Sequence, residues 1–350
     1  MNSTRIQTLR EAWATLKAQN PHVRIRNAAE QLGVSEAELL ATQCGENVSR
    51  LTPRFNDILK EITSLGSVMA LSRNDDAVHE RKGVYLHPSL DNPHVGLFVG
   101  EDIDLRIFFK NWASAFSVTE MSGDQPRYSL QFFARNGEAI HKIYLTAKSD
   151  HQAFLNLVKK YKSEDQQKFQ PVEPVEEEKK ELPDEEIDRE SFQKDWLALK
   201  DTHHFFGLLQ KYKLSRTQAL RLAPAGNYAV SVSGGTLRAL FEKAAAREIP
   251  IMVFVGNSGI IQIHTGTVRK LVDHEEWFNV LDPDFNLHLR EKAITESWIV
   301  RKPTEDGIVT SLECFDKNGK QIIQIFGKRK PGIPEMESWR EIVADTEKNA

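Results

Sequence analysis

Two adjacent histidines open the segment "DTHHFFGLLQKYKLSR", residues 201–216, and an arginine follows near its end. Phe205, Phe206, Leu208, Leu209 and Tyr212 recur at helical spacing, which predicts an amphipathic helix with Asp201 or Thr202 as its N-cap. His203 and His204 then fall in the first turn. The ordinary reading of such residues is a solvated helix entrance. The chemical reading is coordination, because the positive end of a helix dipole disfavours imidazolium and keeps the ring neutral. One imidazole is a poor site for a bare ion, since zinc usually takes three or four protein ligands. It is enough where a porphyrin supplies the equatorial nitrogens and the protein a single axial ligand.

Two further groups of residues bear on the same chemistry. In "DIDLRIFFKNWASAF", strand alternation puts Arg106 and Phe108 on one face and Leu105, Ile107 and Phe109 on the other. An arginine in an aromatic-rich strand is costly to bury unless something polar or anionic meets it. Asp102, Asp104 or Glu120 could be that partner; a ligand in a cleft is the alternative. The second group is Arg216, Lys302 in "WIVRKPTEDG" and Arg329 in "FGKRKPG". Singly these are ordinary surface cations. Together, at the rim of an apolar slot, they suit a dicarboxylate.

The elements that position these residues come from a duplication. Residues 104–145 lie without gaps on residues 286–327, an offset of 182. Leu105, Val118, Asp124, Ser129, Leu130, Phe133, Asn136, Gly137, Ile140 and Ile143 each meet an identical residue. "LSRNDDAVHERKG" resembles "FVGNSGIIQIHTG", and "LGVSEAELLA" resembles "YKLSRTQALR". Chemistry differs between the copies: Glu36 stands where the second has Arg216, and Glu120 where it has Lys302. That contrast predicts a second copy specialised for an anion. Alternating runs that turn on Asn136-Gly137 and Asn318-Gly319 predict hairpins, hence antiparallel sheets and an α+β class. The Pro/Glu-rich stretch 162–191 carries little to bury and reads as a solvated linker between an N-terminal repeat, 1–161, and a C-terminal one, 192–345. Two such halves could enclose a ligand between them.

Other function classes find less support. "NAAEQLGVSEAELLAT" has the spacing of a helix-turn-helix, but its second helix carries Glu36 and Glu38 and no cation, so phosphates would repel it. It reads as a structural corner, and no nucleic acid is expected as a partner. No P-loop, dinucleotide fingerprint or nucleophile elbow is visible. The 350 residues are 40% hydrophobic and 27% charged, with a formal charge of −4 and two distant cysteines, Cys44 and Cys314. These features, with a charged amphipathic start and no membrane-length apolar run, predict a cytoplasmic protein without membrane insertion.

At "DLRIFFKNWASAF", "SLQFF", "IMVFVGNSGIIQIHTG", "FNLHL" and "ESWIVRKPTEDGIVTSLE" the chain resembles the bacterial cytoplasmic haemin-degrading and haem-trafficking proteins of the HemS/ChuS type. The resemblance runs through both halves outside the acidic stretch. It implies a tandem α+β duplication, each half a large antiparallel sheet with flanking helices, with haem bound between the halves. It places the axial haem ligand on His203, with His204 an extra imidazole that leaves a second binding mode open. The distal arginine, carrying the catalysis, falls on Arg106. Propionate-binding cations fall on Arg216, Lys302 and Arg329, aromatic contacts on Phe108 and Phe254, and a polar pocket position on Gln324. Phe326 stands where some relatives have tyrosine. The resemblance implies two activities, oxidative haem opening with an external electron donor, or haem carriage. The partners it implies are an inner-membrane haem transporter or a downstream haem oxygenase.

Overall fold

The computed structural model describes residues 3–175, 180–330 and 332–348, which form two units. The first comprises Met1–Arg73, Glu80–Glu176 and Asn257–Gln262; the second comprises Asn74–His79, Glu177–Gly256 and Ile263–Ala350. Each therefore includes a short segment from the other half of the sequence. Asn257 anchors its segment in the first unit, its amide donating to the carbonyls of Arg73 and Ile140 at 2.9 Å each. Asn74 does the equivalent in the second, donating to Gly256 at 3.2 Å and Ile322 at 2.8 Å.

In the N-terminal half, α1 (Ser3–Gln19), α2 (Ile25–Gln31) and α3 (Glu36–Ala41) precede β1 (Val48–Leu51) and α4 (Phe55–Glu61). Then come β2 (Gly66–Arg73), β3 (Ala77–Gly83), β4 (Pro88–Ser89), β5 (Val95–Val99) and β6 (Asp104–Phe108). The long β7 (Trp112–Ser122), β8 (Gln125–Ala134) and β9 (Ala139–Ser149) lead into α5 (His151–Tyr161). Antiparallel pairing gives the order β1-β7-β8-β9-β2 and a separate ladder β4-β5-β6.

The C-terminal half repeats this plan. Helices α6 (Arg189–Leu197), α7 (His204–Tyr212) and α8 (Arg216–Arg221) precede β10 (Ala229–Val232) and α9 (Thr236–Ala246). They are followed by β11 (Ile251–Gly256), β12 (Ile260–Gly266), β13 (Leu271–His274), β14 (Trp277–Leu281) and β15 (Phe285–Leu289). Finally come β16 (Glu296–Thr304), β17 (Gly307–Phe315), β18 (Gln321–Gly327) and α10 (Glu337–Lys348). The order is β10-β16-β17-β18-β11, with a ladder β13-β14-β15. The expected α+β class and antiparallel sheets are what the chain forms.

Local chemistry accounts for these elements. Both Asn-Gly loops close hairpins, and their glycines carry the left-handed φ, +82° at Gly137 and +75° at Gly319. The helical corner is a buried one. Ser35 and Glu38 form a reciprocal capping box, and Glu36, Ala37, Leu39, Leu40 and Ala41 of α3 are all buried. The carboxylate of Glu36 is held by Lys142 on β9 and Arg73 on β2. Burial pushes its pKa up, but the two cations outweigh this and bring it down to about 2.

The described residues of the stretch 162–191, read as a solvated linker, are mostly exposed but make specific contacts. Residues 162–175 are tied to the first unit because β1 is the end strand of its pairing order and leaves backbone groups open. The Gln166 side chain takes both the N–H and the carbonyl of Arg50 at 2.9 Å. Arg50 in turn donates to the carbonyls of Gln167 and Phe169. On the second unit, Glu181 pairs with Arg221 at 2.6 Å, and Gln218 donates to the carbonyl of Leu182 at 2.6 Å. A segment too polar to make a core still satisfies edge and cap groups. Residues 176–179 of this stretch lie outside the described residues.

One polar cluster has no counterpart in the other copy. His141 is buried with its Nδ1 2.8 Å from Ser72 Oγ and its Nε2 2.6 Å from Tyr85 OH. The corresponding residues of the second half are Val255, Ile323 and Val268, all buried. Burial pulls the His141 pKa from 6.5 down to about 3. Between those values the unfolded chain binds a proton that the folded chain refuses, so stability must fall as pH drops through this window. In denaturant unfolding at pH 7 and pH 5, the parent chain is expected to lose stability that His141→Gln retains. Equal losses in the two proteins would remove His141 as the source.

Candidate functional site

The second unit gathers most of the candidate residues. Alternation along β16, β17, β18 and β11 gives this part of the sheet two faces. Ile299, Leu312, Ile323, Ile325, Val253 and Val255 point into a core closed by α9 and α10. The register places Lys302, Ser311, Glu313, Gln324, Phe326 and Phe254 on the opposite face. Phe254 and Phe326 meet there edge to face, with centroids 5.1 Å apart.

At the centre of that face is a carboxylate that no sequence motif announced. Glu313 is fully buried and accepts Arg216 as a fork, Nε at 2.6 Å and Nη2 at 2.9 Å. It also accepts Lys302 Nζ at 2.7 Å, Gln324 Nε2 at 2.7 Å and Ser311 Oγ at 3.1 Å. The Phe205 ring of α7 lies under both cations, 4.5 Å from Lys302 Nζ and 5.3 Å from the Arg216 guanidinium carbon. Burial pushes the Glu313 pKa up, and Arg216 and Lys302 more than reverse it, so the group is ionised throughout the ordinary range. The expected anion site thus already contains an anion. Lys302, read from sequence as a rim cation, is 2% exposed and spends its charge on Glu313; only Arg216, at 24%, keeps an accessible edge. Arg329 has no contact with this cluster among those described; its Nη2 ends 3.9 Å from Asp306.

His203 stands at the cap of α7, with the first helical residue at His204, one or two residues later than the expected Asp201 or Thr202 cap implied. Its side chain is 77% exposed. Asp201 Oδ1 accepts both the His203 backbone N–H, at 2.8 Å, and the ring Nδ1, at 2.6 Å. Donation through Nδ1–H to a carboxylate fixes the tautomer in which Nε2 keeps its lone pair. Burial raises the Asp201 pKa, and the bonds from His203 outweigh it, so the shift is downward. His204 is also exposed.

Arg106 and Phe108 lie in the first unit, on β6, on the side away from the buried Leu105 and Ile107. The Arg106 partner is Asp104, two residues earlier on the same face. Burial raises the Asp104 pKa against the pull of Arg106. Phe108 is 37% exposed. Asp201 and Glu313 are the functional candidates that sequence reasoning missed. Asp201 was legible only as a cap. Glu313 left one signal, a carboxylate inside the apolar run "SLECF" where the first copy has Gln131.

Comparison with known proteins decides the family. The profile described as "Haemin-degrading HemS.ChuX domain" matches this chain twice, over residues 33–161 and 213–346. The chain belongs to this family. It is 39% identical over 341 residues to the hemin transport protein HemS of Yersinia enterocolitica, covering 97% of each chain. It is 40% identical to the hemin transport protein HmuS of Yersinia pestis, covering 96% of each. Among solved structures, holo-PhuS, a heme-binding protein from Pseudomonas aeruginosa, matches with a TM-score of 0.94 at 45% identity, over 97% of this chain and 98% of that one. The heme degrading enzyme ChuS of Escherichia coli matches with a TM-score of 0.90 at 35% identity, over 97% and 99%. The two profile matches within this family correspond to the two copies of the strand order β1-β7-β8-β9-β2 and β10-β16-β17-β18-β11.

Lys302 gives this cluster a testable signature. Burial lowers its pKa from 10.5 to about 8, against the raising effect of Glu313. Between pH 8 and 10.5 the unfolded chain retains a proton the folded chain has released, so this residue makes stability rise with pH there. The stability of the parent relative to Lys302→Met should therefore increase from pH 7.5 to pH 9.5 in chemical unfolding. A constant difference would mean that Lys302 does not titrate in this range.

Proposed function

We propose that the protein binds haem with His203 as axial ligand and opens the macrocycle with dioxygen as the oxidant, releasing iron. The observation that carries this reading is the Asp201–His203 pair, which leaves an exposed imidazole held by its Nδ1 edge; a ring held in this way offers Nε2 as the coordinating nitrogen. His204 is the alternate ligand. Arg106 serves as the distal group: a permanent cation with a planar set of donors stabilises negative charge as it develops on the oxidant. Arg216 and Arg329 meet the propionates with the polar support of Lys302 and Gln324, while Phe108 and Phe254 pack on the macrocycle. The electrons come from an external donor. In this reading the protein works in the cytoplasm, receives haem from an inner-membrane transporter, and binds no nucleic acid. None of the described helices is long and apolar enough to cross a membrane.

A second reading is favoured by the relatives themselves, since the Yersinia proteins are named for transport and the Escherichia coli protein for degradation. A carrier would use the same binding residues and deliver haem to a separate oxygenase. Aerobic incubation of the haem complex with a reductant, with and without catalase, separates the two. Loss of the Soret band with an open-chain tetrapyrrole product, unaffected by catalase, supports turnover; a stable spectrum, or bleaching that catalase abolishes, supports carriage.

Variants test the individual roles. His203→Ala should shift the Soret band and speed haem loss more than His204→Ala does, and the opposite ranking would transfer ligation to His204. Arg106→Ala should keep haem but lose about 2.7–4 kcal/mol of transition-state stabilisation, a slowing of roughly a hundredfold or more. Parental turnover in that variant would rule out the distal role.

A further inference from the structure

Two of the cations expected to meet a ligand carboxylate, Arg216 and Lys302, and the expected polar pocket residue Gln324 are all bonded to one buried side chain of the same chain, Glu313. The arrangement has two tiers. Lys302 is sealed beneath the surface, 2% exposed, and its ammonium meets Glu313 and the Phe205 ring. Arg216 is in front, with Nε and one Nη2–H taken by the Glu313 fork, so its remaining N–H groups are the donors on the accessible edge. Gln324 gives its amide N–H to the same carboxylate.

We propose that Glu313 is a positioning residue that locks the Arg216 guanidinium in one plane and leaves the cluster a single net positive charge, matched to one carboxylate of the ligand. The inference rests on the haem reading above. A guanidinium held on one edge by an internal carboxylate loses little freedom when its other edge meets a second one. Lys302 acts through Glu313 and not on the ligand. The first copy has no such device: Gln131 replaces Glu313, and the helix-borne charge at that corner is the carboxylate of Glu36.

The test uses the full-length chain with ferric protoporphyrin IX and its dimethyl ester, reading dissociation rates by transfer to apomyoglobin. The parent should release the ester about tenfold faster or more, the value of a charge-assisted hydrogen bond. Glu313→Gln should release free-acid haem several-fold faster than the parent, narrowing the acid-over-ester preference to the share Arg329 holds, with the ester's own rate and the Soret position unchanged. Because Glu313→Gln leaves Lys302 buried without its counterion, the double variant Glu313→Gln/Lys302→Met removes both charges and should show the same loss of discrimination. If either folded variant keeps the parental preference for the free acid, or loses acid and ester alike, Glu313 does not position Arg216. If the parent takes up neither porphyrin, the haem reading itself falls.

Discussion

A charge at the start of a six-residue helix has to be neutralised inside a sheet, and it happens in both halves of this chain. Helices as short as α3 and α8 have no stability of their own, since nucleation costs more than one turn returns. Each is fixed by a serine cap, Ser35 or Ser215, and by the charge just after it, Glu36 or Arg216, bonded to strand residues. The Asn-Gly hairpin tip closes the arrangement. Gly137 accepts the Ala37 N–H at 3.0 Å, and a Cβ on Gly137 would stand 2.2 Å from Ser35 Oγ. A Cβ on Gly319 would stand 3.1 Å from Thr217 Oγ1, a tight contact where that at Gly137 is a clash. That glycine is needed twice, for its left-handed φ and for the approach of the helix.

The sign of the pinned charge is opposite in the two copies, and this makes them chemically different on the same strand order. In the first, a buried carboxylate is held by Lys142 and Arg73, and every member of the set is mostly covered. In the second, a cation on the helix meets a carboxylate in the sheet, and the cation retains an exposed edge. The cations Arg216 and Lys302, read from the sequence as an anion site, thus meet around a carboxylate of the chain itself. Part of the positive charge is answered within the protein, as buried ionic groups require when they are taken out of water.

Much of this was legible beforehand, for physical reasons that differ between elements. Hairpins at Asn136-Gly137 and Asn318-Gly319 were readable because turn chemistry is local. So was the facing of Arg106 and Phe108, since strand alternation has a fixed period. The duplication was readable from identities such as Val118, Leu130 and Ile143, which are core positions constrained in both copies. Glu313 was not, because its meaning depends on Arg216 and Gln324, far away in sequence and joined to it only by strand register. The stretch after Tyr161 misled for a related reason. Its composition correctly excludes a core, but Gln166 caps the backbone of an edge strand and Gln170 accepts from the Arg50 side chain, which no hydrophobic pattern reveals.

Three candidate side chains share one construction. Asp201 lies behind His203, Asp104 behind Arg106, and Glu313 behind Arg216. In each case a carboxylate of the chain occupies one edge of a planar, nitrogen-bearing group and leaves another edge available. The free chain is thereby spared uncompensated charge, and the orientation is fixed before any ligand arrives. The three supports differ in burial. Asp201 is exposed by 49%, Asp104 by 15% and Glu313 not at all. Screening by solvent weakens an ionic hold, so constraint should increase in that order. His203 is thus the least rigidly held of the three, at the entrance of a helix with a second imidazole beside it. Arg216 is the most rigidly held, on a helix and bonded to a buried carboxylate of the sheet.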